Sequence, residues 1–539
     1  MIKHFVAYIP REDSKGGSIL GIQVSENTLR IRDIAGRGES TSYLKFTVEL
    51  PASKPAISRV LSVLGRPKVT SVTVETGKVL FQGVLSLDLL YVPVNTGELA
   101  LDLIEKVEFK DVADFEYFID VSDAKPGDEP ILRTFLANID YEVEKEQRLL
   151  IDASLRHEVL VMCTKRLKFL GDILITPPEK IKIEKRELLL EEYAGKIGKS
   201  VNISGNIALP LGVLRLVDVA VKPQIKRELG DGSGITILGS IDLNLLVVRE
   251  LGDTAVVQSV YLPGAVAFEE RLENLMGDNI LSRSKISIDY VSYARIEDEL
   301  RLDVGLNIQS ELTAPKRVGL ISEAESVAGR RIVTRNGTLS IRRKVVSAPA
   351  KTNAEALLRL PEGLPEPVEM LRVQVIPRIE HTEWAHDTLY AAGSCSLEII
   401  YTGIDGELHS VYWDDVLEFN APIDFTGLEV DAEVIGIEVN TESFRHQITE
   451  SGLEISASLL LLAEVSAPEA LNCLIEAMVY DEIEEEPAYI TFITAEDDDS
   501  LWKLSQKYQI PLESILEDNG LKTEELIPGQ RVILRKQKK

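Results

Sequence analysis

Cysteine is scarce in this chain. Its 539 residues include three cysteines, Cys163, Cys395 and Cys473. An odd and sparse set of cysteines excludes a disulfide framework and favours a reducing compartment.

Long apolar stretches are also missing. No run of eighteen apolar residues occurs, so the sequence predicts no membrane span. The first residues contain only a short apolar patch before Arg11, which is shorter than a signal peptide requires.

Basic residues are outnumbered, with 59 Lys and Arg against 87 Asp and Glu, and the formal net charge is −28. Such a field repels phosphate backbones and argues against nucleic acid as a partner. The excess of negative charge fits either a solvated acidic surface or a surface that meets a basic partner.

Helical periodicity is nearly absent from the first 460 residues, although 45% of the chain is hydrophobic. Apolar and polar residues alternate instead, with turn residues between the segments, as in sandwiches or partly open barrels. The length predicts three or four domains, and the fold class is predicted to be mainly β.

One ten-residue strand pattern occurs three times in the chain. It reads GVLSLDLLYV at 83–92, GSIDLNLLVV at 239–248 and GSCSLEIIYT at 393–402. Alternation with period two places apolar residues on one face and polar residues on the other. Leu90, Leu246 and Ile400 break the pattern, because they are apolar on the polar face. We expect these three positions to be covered by another sheet, loop or repeat.

Two further landmarks recur in the same order. Strands reading LLIDASL, LRLDVGL and LEISASL start at residues 149, 300 and 453, and a proline follows an apolar strand end at Pro51, Pro210 and Pro361. We infer three tandem β-rich modules of about 150 residues, each with its own core. The predicted bounds are 1–165, 180–315 and 335–467, followed by an acidic linker at 468–487.

The last fifty residues, 488–536, predict a small β-α-α-β domain. A strand at 489–494 precedes a helix capped by Asp499 and Ser500, with apolar residues at helical spacing. Asn519 and Gly520 end a second helix, and a turn at Pro528 and Gly529 leads into a final strand.

This segment resembles a LysM domain. The residues that carry the resemblance are Ile490, Phe492, Asp499, Ser500, Leu501, Trp502, Tyr508, Ile515, Asn519, Pro528, Gly529 and Gln530. The resemblance implies a shallow groove for N-acetylglucosamine-containing glycans between two loops. Its expected residues are Asp497, Asp498, Asp499, Ser500, Leu501, Leu526, Ile527, Pro528 and Gly529.

The expected groove departs from the LysM pattern at one position. The family has glycine where this chain has Asp498, inside a run of four acidic residues from Glu496 to Asp499. Glycine allows a sugar to approach the backbone closely, whereas four carboxylates repel anionic glycans. Both a glycan and a partner protein therefore stay open as the ligand. Trp502 is expected to be a core or groove-wall residue.

The threefold module resembles the SPOCS domain of Firmicute sporulation proteins. The match in the first copy rests on Leu50, Pro51, Lys54, Pro55, Ile57, Val60, Leu61, Gly77, Lys78, Val79, Gly83, Leu90 and Tyr91. Several SPOCS copies followed by one LysM domain is the layout of SipL-type spore coat morphogenesis proteins. The resemblance implies work in the mother-cell cytosol at the forespore surface. It also implies a coat morphogenetic ATPase of the SpoIVA type, or another coat protein, as partner.

Motifs for enzyme chemistry are weak. LGDGSG at 229–234 precedes a strand rather than a helix, so it predicts a hairpin and not a phosphate loop. His381 and His386 have the wrong spacing for a helical zinc pair. Cys395 lies at a core position, and Asp414 and Asp415 fit a turn better than a cation site. The sequence predicts no catalytic residue, cofactor or metal.

The repeats preserve their core positions and vary their surfaces, which favours a non-enzymatic assembly scaffold. Two alternatives stay open. The chain could be a LysM protein retained on peptidoglycan or spore cortex, or a structural protein that polymerises with itself into a fibre or layer.

Overall fold

The computed structural model describes residues 4–7, 21–94, 103–145, 147–176, 181–231, 233–252, 254–273, 280–326, 331–342, 346–426, 432–449, 452–480, 489–496 and 499–536. The described residues are 82% strand and include two helices, both near the C-terminus. The predicted fold class, mainly β with a small β-α-α-β domain, is confirmed.

The strands fall into three consecutive sets and a C-terminal domain. The first set is β1 (His4–Ala7), β2 (Gly21–Glu49), β3 (Ile57–Glu75), β4 (Lys78–Pro93), β5 (Glu105–Asp120), β6 (Glu129–Lys145) and β7 (Arg148–Thr176). The second is β8 (Ile181–Ala208), β9 (Val213–Asp231), β10 (Gly234–Leu251), β11 (Thr254–Glu273), β12 (Leu281–Ile296) and β13 (Glu299–Ser326).

The third set is β14 (Arg331–Arg342), β15 (Val346–Leu358), β16 (Pro367–Ala385), β17 (Thr388–Gly403), β18 (Leu408–Asp424), β19 (Glu433–Thr449), β20 (Gly452–Ser466) and β21 (Pro468–Tyr480). The C-terminal domain comprises β22 (Tyr489–Thr494), α1 (Leu501–Tyr508), α2 (Leu512–Asn519) and β23 (Arg531–Lys536).

The same strand order occurs three times. An antiparallel meander, β3-β4-β5, faces a second sheet in the order β2-β7-β6, and the sheet edges meet where β3 contacts β6 and β2 contacts β5. The corresponding sheets are β9-β10-β11 with β8-β13-β12, and β16-β17-β18 with β15-β20-β19. Each pair of sheets encloses its own apolar core, because the inward positions of the alternating strands meet between the sheets.

The repeated glycine makes room for an aromatic ring. Gly239 lies opposite Phe268 on the next strand, and Gly83 and Gly393 lie opposite Phe115 and Phe419 in the same way. A Cβ atom added to Gly239 would lie 2.1 Å from Cζ of the Phe268 ring. The ring packs over bare backbone, so a side chain at the glycine is excluded by sterics rather than by a turn.

The polar face of the repeated strand fixes a β-bulge. The bulge residues Asp111, Gly264 and Asp415 have φ values of 49°, 59° and 49°. Their backbone N–H groups donate to the side chains of Ser86, Asp242 and Ser396 at 3.0, 2.7 and 3.2 Å. Asp415 therefore has a structural place in a bulge, where the positive φ bends the strand.

Leu90, Leu246 and Ile400 meet in one apolar cluster at the junction of the three repeats. Leu61, Val217 and Leu371, from the neighbouring strand of each repeat, pack into the same cluster. Of the sheet, loop or repeat that the sequence predicted as cover for these apolar residues, the structure shows that the other repeats provide it. We call this cluster the three-way junction.

Polar residues beside the three-way junction differ at equivalent positions. Ser62, Asp218 and Arg372 lie opposite Leu90, Leu246 and Ile400, respectively. Arg372 Nη2 donates to Ser62 Oγ at 2.8 Å, and Lys106 Nζ donates to Asp218 Oδ1 at 2.5 Å. These unlike residues give each repeat a distinct place around the junction.

The long strands continue beyond the cores as three two-stranded ribbons. They are formed by the ends of β2 with β7, of β8 with β13, and by β14 with β21. The ribbons pack together around Leu29, Phe169, Leu320, Leu339, Ile341 and Cys473. We call this bundle the stalk.

The stalk corrects the predicted linker. Residues 468–480, assigned from the sequence to an acidic linker, form β21, because the segment PEALNCLIEAMVY supplies apolar residues such as Cys473 and Leu474 to the stalk. The acidic residues 481–487 lie outside the described residues. Strands β7 and β13 also run through the predicted module bounds at 165 and 315.

A buried histidine replaces an aliphatic core residue in the first repeat. His157 is fully buried, whereas the equivalent positions hold Ile308 and Leu461. Its Nε2 and Nδ1 atoms lie 2.8 Å from Ser42 Oγ and 3.1 Å from Thr134 Oγ1. Burial lowers the pKa of His157 to about 4, so the ring is neutral near pH 7.

We predict that Gly239→Ala destabilises the protein by about 1–3 kcal/mol, because the new methyl group collides with the Phe268 ring. Denaturant unfolding measures the loss. Gly230→Ala is the matched control, since its Cβ would meet only a carbonyl oxygen at 3.6 Å. Equal effects of the two substitutions would contradict the packing argument.

We predict that His157 makes stability fall between pH 6.5 and pH 4. The pKa of His157 is lower in the folded protein than in the unfolded chain, so its contribution is complete above pH 6.5 and is lost as the pH falls. From pH 7.5 to pH 5 the loss should be about 1–2 kcal/mol smaller in His157→Leu than in the unchanged protein. The exposed His446, changed to Leu, is the control, and an identical pH dependence in all three proteins would refute the assignment.

Candidate functional site

The C-terminal domain packs two short helices against a two-stranded sheet. Its core includes Leu501, Leu504, Ile515, Val532 and Leu534. Ser500 caps α1, as predicted, by accepting a hydrogen bond from the Lys503 N–H at 3.2 Å.

Left-handed residues end both helices, Gln509 with φ 53° and Gly520 with φ 63°. Asn519 joins α2 to β23, because its amide bonds both the N–H and the carbonyl of Ile533.

Two loops lie side by side at one end of this domain. We call residues 495–496 and 499–501, together with residues 524–530, the groove loops. Ala495 N–H donates to the carbonyl of Gln530 at 2.8 Å, and Gly529 N–H donates to the carbonyl of Ala495 at 2.7 Å. Leu501 N–H donates to the carbonyl of Glu524 at 3.2 Å. These backbone bonds fix the two loops against each other from both ends.

The predicted groove residues take different roles along the first loop. Asp499 is half-buried, and its carboxylate accepts a hydrogen bond from the Glu496 N–H at 3.0 Å. Leu501 is fully buried, and its N–H already donates to the carbonyl of Glu524, so it presents no accessible surface to a ligand. Asp497 and Asp498 lie outside the described residues.

The second groove loop offers the more accessible surface. Ile527 is 73% exposed although it is a large apolar residue, and Pro528 and Gly529 beside it are exposed as well. Gly529 has φ 85°, which suits glycine. Leu526 points inward and packs against the domain core. Ile527 is therefore the apolar side chain that a ligand in the groove would meet.

The described charges of the groove loops are all acidic. They are Glu496, Asp499, Glu524 and Glu525. Coulomb repulsion between these carboxylates and an anionic glycan opposes its binding, whereas a cationic segment is attracted.

The first strand of this domain, β22, turns two residues of the LysM resemblance toward solvent. Ile490 and Phe492 are 55% and 72% exposed, so they face away from the domain core. Ile493 and Ala495 face inward instead.

The weak motifs of the sequence are structural. Asp231, inside LGDGSG, accepts hydrogen bonds from Ser233 and Arg271 at the hairpin between β9 and β10. His386 has φ 52° at the hairpin between β16 and β17. Cys395 is fully buried in the core of the third repeat, and burial raises the pKa of its thiol to about 12.

One cluster of metal-ligating residue types occurs among the described residues, at Asp405, Glu407 and His409. His409 lies at the start of β18. Its Nε2 lies 2.9 Å from Asp405 Oδ2, and Glu407 pairs with Arg59 of the first repeat at 3.1 Å. These bonds already explain why the three residues lie together, because they link the turn at Asp405 to the neighbouring first repeat.

No helix in the described part of the chain is both long and apolar enough to cross a membrane. Comparison with curated proteins and with solved structures gave no match.

Comparison with family models gave two matches. Residues 56–144 match the SipL, SPOCS domain, and residues 494–535 match the LysM domain. The first match covers most of β3 to β6 in the first repeat, and the second covers the groove loops and both helices. The two domain types are binding or structural rather than catalytic, and no enzyme family matches. Together they fit a sporulation-associated protein with a glycan-binding or peptidoglycan-binding type of domain. The chain thus carries a SipL-type SPOCS domain and a C-terminal LysM domain, the architecture that its sequence predicted.

Proposed function

We propose that this protein is a non-enzymatic assembly scaffold of the spore coat, in which three SPOCS-like modules form a rigid body and the LysM domain docks a partner. The mother-cell side of the forespore is the proposed location. The observation that carries the proposal is an accessible apolar residue, Ile527, in a groove whose described charges are all acidic.

The body supports a scaffold role because its three repeats have equivalent core residues but different surface residues. Core strands align position by position, whereas outward positions that correspond carry Asp152, Asp303 and Ser456. Catalysis needs titratable groups that converge on one cleft, and the acidic residue at this outward position is not kept in all three repeats. A body of this kind can present different surfaces to different proteins.

The groove favours a protein ligand over an anionic glycan. A protein segment can bring both an apolar side chain for Ile527 and lysine or arginine for the surrounding carboxylates. A coat morphogenetic ATPase of the SpoIVA type, or another coat protein, is the proposed partner. Peptidoglycan or cortex glycan is the alternative, and it is favoured by the LysM family itself.

We predict that Ile527→Ser reduces capture of the partner at least tenfold, because the exposed side chain is lost from the groove. Affinity capture from sporulating cells, compared with the unchanged protein, measures the loss. Ile490→Ser is the matched control: it changes an exposed isoleucine of the same domain on the outer face of β22 and should leave capture unchanged.

A peptidoglycan pull-down with the same variants tests the alternative. Saturable retention on peptidoglycan that Ile527→Ser abolishes would replace the protein-docking proposal with glycan binding. Equal capture by the unchanged protein and the Ile527→Ser variant would remove the groove from either role. Sedimentation of the pure protein tests the self-polymerising alternative, and a monodisperse monomer is the expected result.

A further inference from the structure

The LysM domain rests against the third ribbon of the stalk. Arg335, on β14, places its guanidinium carbon 5.8 Å from the centroid of the Trp502 ring on α1. The same side chain pairs with Glu524 of the second groove loop, with 2.6 Å between Nη2 and Oε2. Trp502 is only 8% exposed, which agrees with its expected place in a core or groove wall, and the Arg335 contact places it at an interdomain contact as well.

Arg335 contacts the second groove loop and the residue that directly follows the first. Trp502 directly follows Leu501, the last residue of the first loop, and Glu524 is the first residue of the second loop. The Leu501 N–H already donates to the carbonyl of Glu524, so the guanidinium adds a side-chain link across the backbone link. A cation over an indole ring and an ion pair, each partly shielded from water, are both attractive.

Further charges meet at this contact. Glu476 is the cross-strand partner of Arg335 on β21, and one of its carboxylate oxygens is buried without a hydrogen-bond partner among the described residues. Burial raises the pKa of Glu476, while the nearby Lys503 and Arg335 lower it. Charged residues of the stalk and of the LysM domain therefore meet at this contact, which makes it a specific contact between the two domains.

We propose that Arg335, a stalk residue outside the LysM domain, is a positioning residue for the groove. It holds the two loops in one arrangement and fixes the domain on the stalk, so the third repeat controls how the groove meets its ligand. This inference deepens the proposed docking function and rests on it for its biological meaning. The geometry itself is testable without any ligand.

Hydrogen exchange of the full chain provides that test. In Arg335→Ala, the amides of Leu501 and Gly529 should exchange roughly three- to tenfold faster, because the ion pair and the cation–π contact are lost. Core amides such as Leu534 should keep their rates. Arg317→Ala, at an exposed arginine elsewhere on the stalk, is the matched control and should change neither set.

A charge exchange isolates the pair. Arg335→Glu and Glu524→Arg should each accelerate loop exchange, and the double variant should restore at least part of the protection. Arg335→Lys keeps the charge without the planar stacking and should fall between the unchanged protein and the alanine variant; it also serves if the alanine variant does not fold.

Three outcomes would overturn the positioning role: unchanged exchange in Arg335→Ala, acceleration spread evenly through the LysM core, or no restoration in the double variant. These results are independent of partner capture. If Arg335→Ala accelerates exchange of the groove-loop amides but captures the partner normally, the docking function is removed and the positioning geometry is kept. If exchange is normal but capture is weakened, the positioning geometry is removed and the docking function is kept.

Discussion

Leu90, Leu246 and Ile400 occupy the same position of three consecutive repeats, and each is apolar on the face of its strand that otherwise holds polar residues. Burying a large aliphatic side chain contributes about 1.5–3 kcal/mol. Each has an apolar neighbour in its own repeat, Leu61, Val217 or Leu371, but the rest of the cluster that buries it comes from the other two repeats, so part of the gain depends on them. The three-way junction therefore packs the three repeats into one body, rather than leaving them as independent domains joined by linkers.

Unlike residues around the junction explain why one chain carries three divergent copies. Ser62, Asp218 and Arg372 are equivalent in position, and Arg372 bonds Ser62 while Lys106 bonds Asp218. Three identical repeats would place like charges together at this depth, which is costly. Because the three repeats differ at these positions, their order around the three-way junction is fixed. The stalk fixes the direction in which the repeats point. Because the last ribbon of the stalk also meets Trp502 and Glu524, the fixed body extends to the orientation of the LysM groove.

Much of the fold was accessible from the sequence, because it depends on local periodicity. Strand alternation located the repeated strands, and the apolar exceptions at Leu90, Leu246 and Ile400 correctly indicated that another element covers them, without saying that it is a repeat. The β-α-α-β order and the Ser500 cap followed from capping residues and helical spacing. The purpose of the repeated glycine was not accessible, since Phe268 lies 29 positions after Gly239 and nothing local links them.

The stalk and the interdomain contact were beyond sequence reasoning. Residues 468–480 were assigned to a linker because the acidic run that follows them suggested an extended chain. Their apolar side chains pack with β14 and with ribbons from the other repeats, all far earlier in the chain. Arg335 and Glu524 likewise belong to different domains, and neither position stands out by composition. In the groove, the family resemblance selected residues by position, but it could not separate the buried Leu501 from the exposed Ile527.

The central claim, that the three repeats are one energetic unit, is tested most directly by hydrogen exchange in Leu246→Ala. The substitution removes part of one side chain at the three-way junction while leaving the first and third repeats unaltered. Faster exchange of core amides in all three repeats, including β4 and β17, is the result that this account predicts. Acceleration confined to the second repeat, residues 181–326, with β4 and β17 as protected as before, would show that the repeats are independent and would contradict it.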